Sequence, residues 1–158
     1  MGDREAQIAR FLESAGWGDA ERGMLAADAS FRRYDRLRKG ARSAVLMDAP
    51  PPQENVRPFL AVARHLTGLG YSAPRILADD TEAGIILLED LGDQTFTRLL
   101  RQGADETDLY ELATDLLIHL HSRPTLESVP SSIPHYDDDR LLEEACLLTD
   151  WYIPRITG

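Results

Sequence analysis

The sequence has a single cysteine, Cys146, which rules out an internal disulfide framework and fits a reducing, cytoplasmic setting. It has no apolar run near the roughly 20 residues that span a bilayer. Its opening stretch, MGDREAQIARFLESAGW, is polar and acidic and has no apolar signal segment. A basic surplus is also missing. Against 17 Lys and Arg stand 27 Asp and Glu, a formal net charge of −10, so neither nucleic acid nor an anionic membrane is expected as the main partner. A small anionic ligand is still compatible, because it needs only a local cluster of donors. Internal repeats and low-complexity segments are lacking too. What is present is 158 residues, 43% of them hydrophobic, enough for a core in one domain or two small lobes.

Periodicity divides the chain. Ile8, Phe11, Leu12 and Ala15 recur at helical spacing, so a short amphipathic helix is predicted over 4–15, ended by Gly16 and Gly18 around Trp17. Residues 22–49 read as three strands, RGMLAA, SFRRYDRLR and SAVLMDA, with a turn at Lys39-Gly40. The prolines at 50–52 end the sheet and remove backbone donors. A helix follows in VRPFLAVARHLTGLG, with Phe59, Val62, Ala63 and Leu66 as its apolar stripe. Two more strands, SAPRILADD and GIILLEDL, flank a turn at Glu82-Ala83-Gly84.

From Asp93 onward only helices are predicted: a short one over Thr95 to Arg101 and a long one over Asp105 to His121. The long helix has its stripe at Leu109, Leu112, Ala113, Leu116, Leu117 and Leu120. Pro124, Pro130 and Pro134 mark an extended connector, and a last helix runs from Asp137 to about Tyr152. The order β-β-β-α-β-β followed by helices is an α+β pattern: a small antiparallel sheet lobe joined to a helical region.

One stretch raises a functional question. In IILLEDLGDQ, at 85–94, four large aliphatic residues run directly into Glu89-Asp90-Leu91-Gly92-Asp93. A buried strand that stops so abruptly leaves unpaired backbone groups facing a cleft, where a ligand can use them. Gly92 permits the tight exit, and Asp93 or Thr95 is placed to cap the next helix. Taken alone, the same pattern also describes an ordinary capped turn that binds nothing.

Five strands with one helix between the third and fourth, then a link into helices, is the order of a kinase N-lobe. At LAADASFRRYDRL, VLMDAPP, APRILADD and ILLEDLGDQTF the sequence resembles the aminoglycoside phosphotransferase superfamily of kinase-like enzymes, from about Phe11 to Trp151. LMDAPP and LLEDLGD are most similar to the branch that phosphorylates N-acetylmuramate and N-acetylglucosamine at the anomeric hydroxyl in bacterial cell-wall recycling. The resemblance implies a protein-kinase-like N-lobe with its N-terminal helix over 1–92, ending in a hinge. The helical beginning of a C-lobe would occupy 93–158. It also implies ATP as the phosphoryl donor, with Mg²⁺, and a small sugar as the acceptor.

Site residues carry over position by position. Glu89 C=O and Leu91 N–H, with Asp90 between them, are the expected adenine contacts. The turn around Asp28, Ala29, Ser30, Phe31 and Arg32 is expected over the phosphates, where small residues let backbone N–H groups approach. Arg32 and Arg33 add charge there, and the family usually has glycine where Ala27 stands. Val45 and Met47 on the third strand face the nucleotide. Met47 or Asp48 stands where kinases carry a phosphate-binding lysine, and the nearest basic residues in sequence are Lys39 and Arg42. Glu54 falls at the acidic position of the inserted helix. With no lysine partner, it is expected as solvated charge in the first helical turn.

The family's His-x-Asp-x-x-x-x-Asn catalytic loop and its later metal-binding aspartate do not occur in the sequence. Asp137 to Asp139, in IPHYDDDRLL, are expected as N-terminal charge on a helix. The chain is therefore expected to be a fragment or truncated product that is inactive alone, supplying the nucleotide half of a kinase. The alternatives are a kinase of aminoglycosides or other small alcohols and a non-catalytic nucleotide-binding or interaction module. His119 and His121, two apart on one helix, cannot share a metal and are expected in packing and C-terminal capping. His65 is expected at the surface or half-buried, Cys146 in a helix interface, and Trp151-Tyr152 exposed.

Overall fold

The computed structural model describes residues 2–27 and 30–157. Helix α1 (Asp3–Ser14) precedes β1 (Glu21–Ala27), β2 (Arg33–Lys39) and β3 (Arg42–Asp48). Helix α2 (Arg57–Gly68) comes next, and then β4 (Ile76–Asp80) and β5 (Ile85–Glu89). The strands form one antiparallel sheet in the order β1-β2-β3-β5-β4, the α+β architecture of a kinase-like N-lobe. The chain continues as α3 (Phe96–Arg101), α4 (Glu106–His121), α5 (Thr125–Ser128) and α6 (Asp138–Leu147). A π-helical stretch (Leu148–Tyr152) and α7 (Ile153–Thr157) complete it. No helix among the described residues is long and apolar enough to cross a membrane.

Strands β3 and β5 lie at the centre of the sheet, and both of their faces are buried. Because side chains alternate along a strand, each aliphatic run feeds two cores. Ala44, Leu46, Ile85 and Leu87 join Leu37 on one face and pack against Ile8, Leu12 and Trp17, at or just after α1. Val45, Met47, Ile86 and Leu88 occupy the other face with Val56 and Leu60 of the α2 segment. The pairing Val45↔Leu88, Leu46↔Leu87 and Met47↔Ile86 keeps the two sets in register.

The stripe on α2 keeps Ala63 and Phe59 as expected, Phe59 packing against the sheet core, but adds Leu60 and loses Val62. Leu60 and Ala63 are its buried residues, and Val62 is exposed. Val56, just outside the helix, is buried in the sheet core. From that anchor the spacing i, i+4, i+7 selects Leu60 and Ala63. The connector after α4 contains the short helix α5 rather than being extended throughout, and a π-helical stretch and α7 take the chain past the expected end of the last helix.

The helices after β5 are well capped but not buried. Thr95, not Asp93, caps α3 by accepting from Arg98 N–H, and Asp105 caps α4 by accepting from Thr107 and Asp108 N–H. Asp137 caps α6 with Asp138 and Asp139 in its first turn, as expected. Yet α4 and α6 have no buried residue, and Leu112, Leu117, Ile118 and Leu142 are all more than half exposed. Cys146 is half-buried on α6, and Trp151 and Tyr152 are exposed. One polar link joins α4 to the sheet side: Tyr71 OH meets His119 Nδ1 at 2.8 Å, and the Arg123 guanidinium lies 5.8 Å from the Tyr71 ring centre.

The β4–β5 turn contains the tightest backbone approach. Gly84 has φ +66°, and its C=O accepts from Ala49 N–H at 2.9 Å. A Cβ there would lie 2.1 Å from Ala49 O, which is backbone and cannot swing away. At Gly70, φ is +89° but the space is open. Gly70→Ala is therefore expected to cost about 1 kcal/mol of backbone strain, and Gly84→Ala distinctly more, because the sheet edge must also shift. Urea unfolding of the two variants checks this, and equal losses would refute the argument.

Candidate functional site

An open groove of about 280 Å³ lies where β5 gives way to the hinge. Its apolar walls are Leu25, Val45, Phe59 and Leu88, with Tyr34, Arg36 and Pro74 around them. The hinge residues Glu89, Asp90, Leu91 and Gly92 close one side. Leu25 reaches the groove from an irregularity in β1, where the register skips between Met24 and Ala26. Such a bulge re-aims one side chain without ending the strand.

The hinge is fixed by its side chains, which leaves backbone available. Arg75 donates from Nη2 and from its backbone N–H to the Glu89 carboxylate at 3.0 and 3.2 Å, and Glu89 N–H donates to Arg75 O. Asp90 is turned inward and accepts from Arg36 Nη2 at 3.1 Å and from Gly92 N–H at 3.0 Å. Gly92, at φ +80°, takes the left-handed conformation this turn requires. Arg36 also donates from Nη1 and Nη2 to Asp93 at 2.9 and 2.8 Å. Leu91 is 60% exposed, and among the described residues its N–H makes no hydrogen bond. An apolar slot beside an unpaired donor suits the flat face and edge of a purine.

The ionisation of the hinge follows from these contacts. Hydrogen bonds donated to Asp93, and then to Asp90, raise the Arg36 guanidinium well above its ordinary value. Asp93 is lowered chiefly by its hydrogen bond from Arg36, and Glu89 by the one from Arg75. For Asp90, burial works against the charge. Donors at Gly92, Ser43 and Arg36, together with the charge of Arg36, still hold it below 3.8.

At the other end of the groove face the carboxylate of Glu54 accepts from Phe31 N–H at 3.1 Å and from Arg32 Nε at 2.9 Å. Its side chain is only 9% exposed. This corrects the expectation of solvated charge in a helical turn. Glu54 lies before α2 begins at Arg57 and is drawn in by the Arg32 cation and the Phe31 amide. Ser30 Oγ accepts from Arg32 N–H, so the amides of Phe31 and Arg32 are both taken by side chains. Asp28 and Ala29 lie outside the described residues.

The two residues at the lysine position have packing roles. Met47 is fully buried opposite Tyr34, and Asp48, 3% exposed, lies on the other face. Arg4 of α1 donates to Asp48 Oδ1 from Nη2 at 2.6 Å and from Nε at 3.0 Å, and also to Ala83 O at 2.7 Å. Asp48 thereby ties α1 to the end of β3, and Arg33 joins it at 3.3 Å. Among the described residues no group of three or more His, Cys, Asp or Glu is placed to hold a metal ion. The residues present do not make a Mg²⁺ site.

Of the expected site residues, Val45, Glu89, Asp90 and Leu91 meet at the groove, Ser30, Phe31 and Arg32 sit beyond its far end, and Met47 is part of the wall's core. Sequence reasoning missed Leu25, Tyr34, Arg36, Phe59, Pro74 and Leu88. Three of these were within reach. The Lys39-Gly40 turn sets a hairpin in which Lys39 pairs with Arg42, and counting back pairs Arg36 with Val45 and Tyr34 with Met47. Leu88 then follows as the last inward residue before the hinge on the same face as Val45.

This architecture is that of a kinase-like N-lobe, and comparison with known proteins agrees. Residues 24–156 match the Phosphotransferase enzyme family, APH, and the chain belongs to that family. It is similar to the N-acetylmuramate/N-acetylglucosamine kinase of Pseudomonas aeruginosa, 48% identical over 147 residues, covering 90% of this chain and 42% of that protein. The proteins of the same name from Pseudomonas putida and Caulobacter vibrioides are 39% and 36% identical, and the matches cover 98% and 94% of this chain. The chain spans about 42% to 50% of the length of these curated relatives.

The Arg36 cluster gives a pH prediction. Asp90 and Asp93 have folded-state pKa values lowered from 3.8. Their contribution to stability is therefore present above about pH 4 and is lost as pH falls through the lower folded values. Unfolding free energy is expected to drop more steeply below pH 4 in the wild type than in Arg36→Met, which lacks the partner. Parallel pH profiles from denaturant titrations would exclude the cluster as a source of acid sensitivity.

Proposed function

We propose that this chain is the nucleotide-binding half of an ATP-dependent phosphotransferase that moves the γ-phosphate to a hydroxyl of a small amino sugar. The observation that carries the proposal is the apolar groove ending at the unpaired Leu91 N–H, in a chain of the phosphotransferase family. Adenine would lie between Val45 and the hinge, bonding Glu89 C=O and Leu91 N–H, with Asp90 holding the turn. The segment from Asp28 through Ala29, Ser30, Phe31 and Arg32 would reach the phosphates, and Met47 would back the site from the core. Residues 1–92 form the N-lobe in this reading, and 93–158 begin the C-lobe. The setting is cytoplasmic, where ATP is supplied.

The amino sugar is proposed from the names of the relatives, N-acetylmuramate/N-acetylglucosamine kinases. Mg²⁺ would accompany ATP, but no step is assigned to it because these residues do not form its site. Phosphoryl transfer needs a carboxylate to receive the hydroxyl proton as well as positioned phosphates. The lobe described here supplies positioning.

The test uses the full reading frame that contains this chain, with ATP, Mg²⁺ and either N-acetylglucosamine or N-acetylmuramate. Phosphorus NMR is expected to show an anomeric sugar phosphate, whereas turnover of aminoglycosides alone would overturn the amino-sugar assignment. Residues 1–158 by themselves are expected to make no sugar phosphate from either sugar, since the His-x-Asp-x-x-x-x-Asn loop is not among them.

A further inference from the structure

The proposed nucleotide site leaves one chemical requirement open. Phosphates need a cation, and β3 has Met47 or Asp48 where the family's wider pattern has lysine. The only lysine in the chain, Lys39, is at the opposite end of the β2–β3 hairpin, where it donates to Gly16 O at 2.9 Å and pairs with Asp19. Arg42 lies over the Trp17 ring at 5.1 Å. Arg33 follows the parity of Leu37 on the α1 face and pairs with Asp48. Arg36 lines the groove, but Asp90 and Asp93 hold it at the hinge end.

Arg32 differs from all of these. It lies two residues before Tyr34 and four before Arg36, the parity of the groove face in an extended chain. Tyr34 is the cross-strand partner of Met47, and Arg32 lies just before β2 begins at Arg33, beside the end of β3. Its guanidinium is partly exposed; Nε donates to Glu54 Oε2, and the Tyr34 hydroxyl is a second neighbour. The outer Nη atoms of the fork are the ones that make paired contacts with a phosphate. Glu54 also holds the Phe31 amide, so cation and loop are fixed by one carboxylate. Protein kinases use the same logic, with the phosphate-binding cation itself steadied by a carboxylate from the inserted-helix segment.

We propose that Arg32, positioned by Glu54, is the phosphate-binding cation of this site and fills the role left by the missing β3 lysine. The assignment rests on the nucleotide reading above, and the experiment separates the two. Affinities for adenosine and ADP are measured by calorimetry on the full reading frame, in the wild type and in Arg32→Gln, Arg32→Lys and Glu54→Gln. Melting temperatures confirm folding.

The wild type is expected to bind ADP more tightly than adenosine. Arg32→Gln should weaken ADP about 10- to 100-fold, the loss of a charge-assisted contact, while leaving adenosine unchanged. Arg32→Lys should recover part of that loss. Glu54→Gln should weaken ADP without touching adenosine, and it decides the matter if Arg32→Gln does not fold. Wild-type ADP affinity in a folded Arg32→Gln, or failing that in Glu54→Gln, would overturn the Arg32 assignment and leave the nucleotide site standing. A wild type that binds neither ligand would overturn both.

Discussion

Everything in the sheet lobe depends on two central strands that have no solvent face. Ala44 to Met47 and Ile85 to Leu88 alternate between two cores, so the sheet must be covered on both sides. That requirement places α1 on one face and α2 on the other, and a one-residue slip between β3 and β5 would exchange both cores at once. It also explains the abruptness of the hinge. Along β5 no charged residue occurs until Glu89, its last position. Glu89 and Asp90 mark that exit by turning their carboxylates onto Arg75 and Arg36.

Charged side chains are used mainly at strand ends and at the lobe's edges, where helices, loops and strands have to be tied together. Arg4 and Asp48 join α1 to β3, Arg36 and Asp90 join β2 to the hinge, and Arg32 and Glu54 join the β1–β2 loop to the approach to α2. Fully exposed pairs contribute little each. A pair with a nearly buried carboxylate, such as Asp48 or Glu54, does more to fix geometry, because an uncompensated charge there is costly. The net charge of −10 is compatible with an anionic ligand for the same reason: what matters at the site is where the cations are held, not their sum.

The fold was legible in the sequence because its signals were local. Alternating aliphatic runs, the Lys39-Gly40 turn, the three prolines after Ala49 and the spacing of Ile8 and Leu12 each report on near neighbours in the chain. Leu60 was missed in the α2 stripe because Val56, four residues before it, lies outside the helical pattern and is buried only by the sheet. Glu54 was misread for a related reason. Its partners, Phe31 and Arg32, are more than 20 positions away, and nothing within the segment QENVRP announces them. The site's far wall at Leu25 depends on a bulge, which strict alternation cannot foresee. Arg36, Tyr34 and Leu88 were the avoidable misses, since the hairpin register and the strand alternation already implied them.

The two parts of the chain also differ in what stabilises them. In the sheet lobe, burial does most of the work, and side chains such as Leu46, Ile85 and Ile86 have no exposed surface. From α3 onward the helices have good caps at Thr95, Asp105 and Asp137, yet leucines such as Leu112, Leu117 and Leu142 remain exposed. Caps and propensity alone leave helices of this length marginal in water, because most helical stability in proteins comes from packing an apolar face. Tyr71 with His119, flanked by Arg123, links the segment before β4 to α4, and Arg75 of that same segment bridges to Glu89 at the end of β5. The segment that touches α4 is thus the one that also holds the last residue before the hinge.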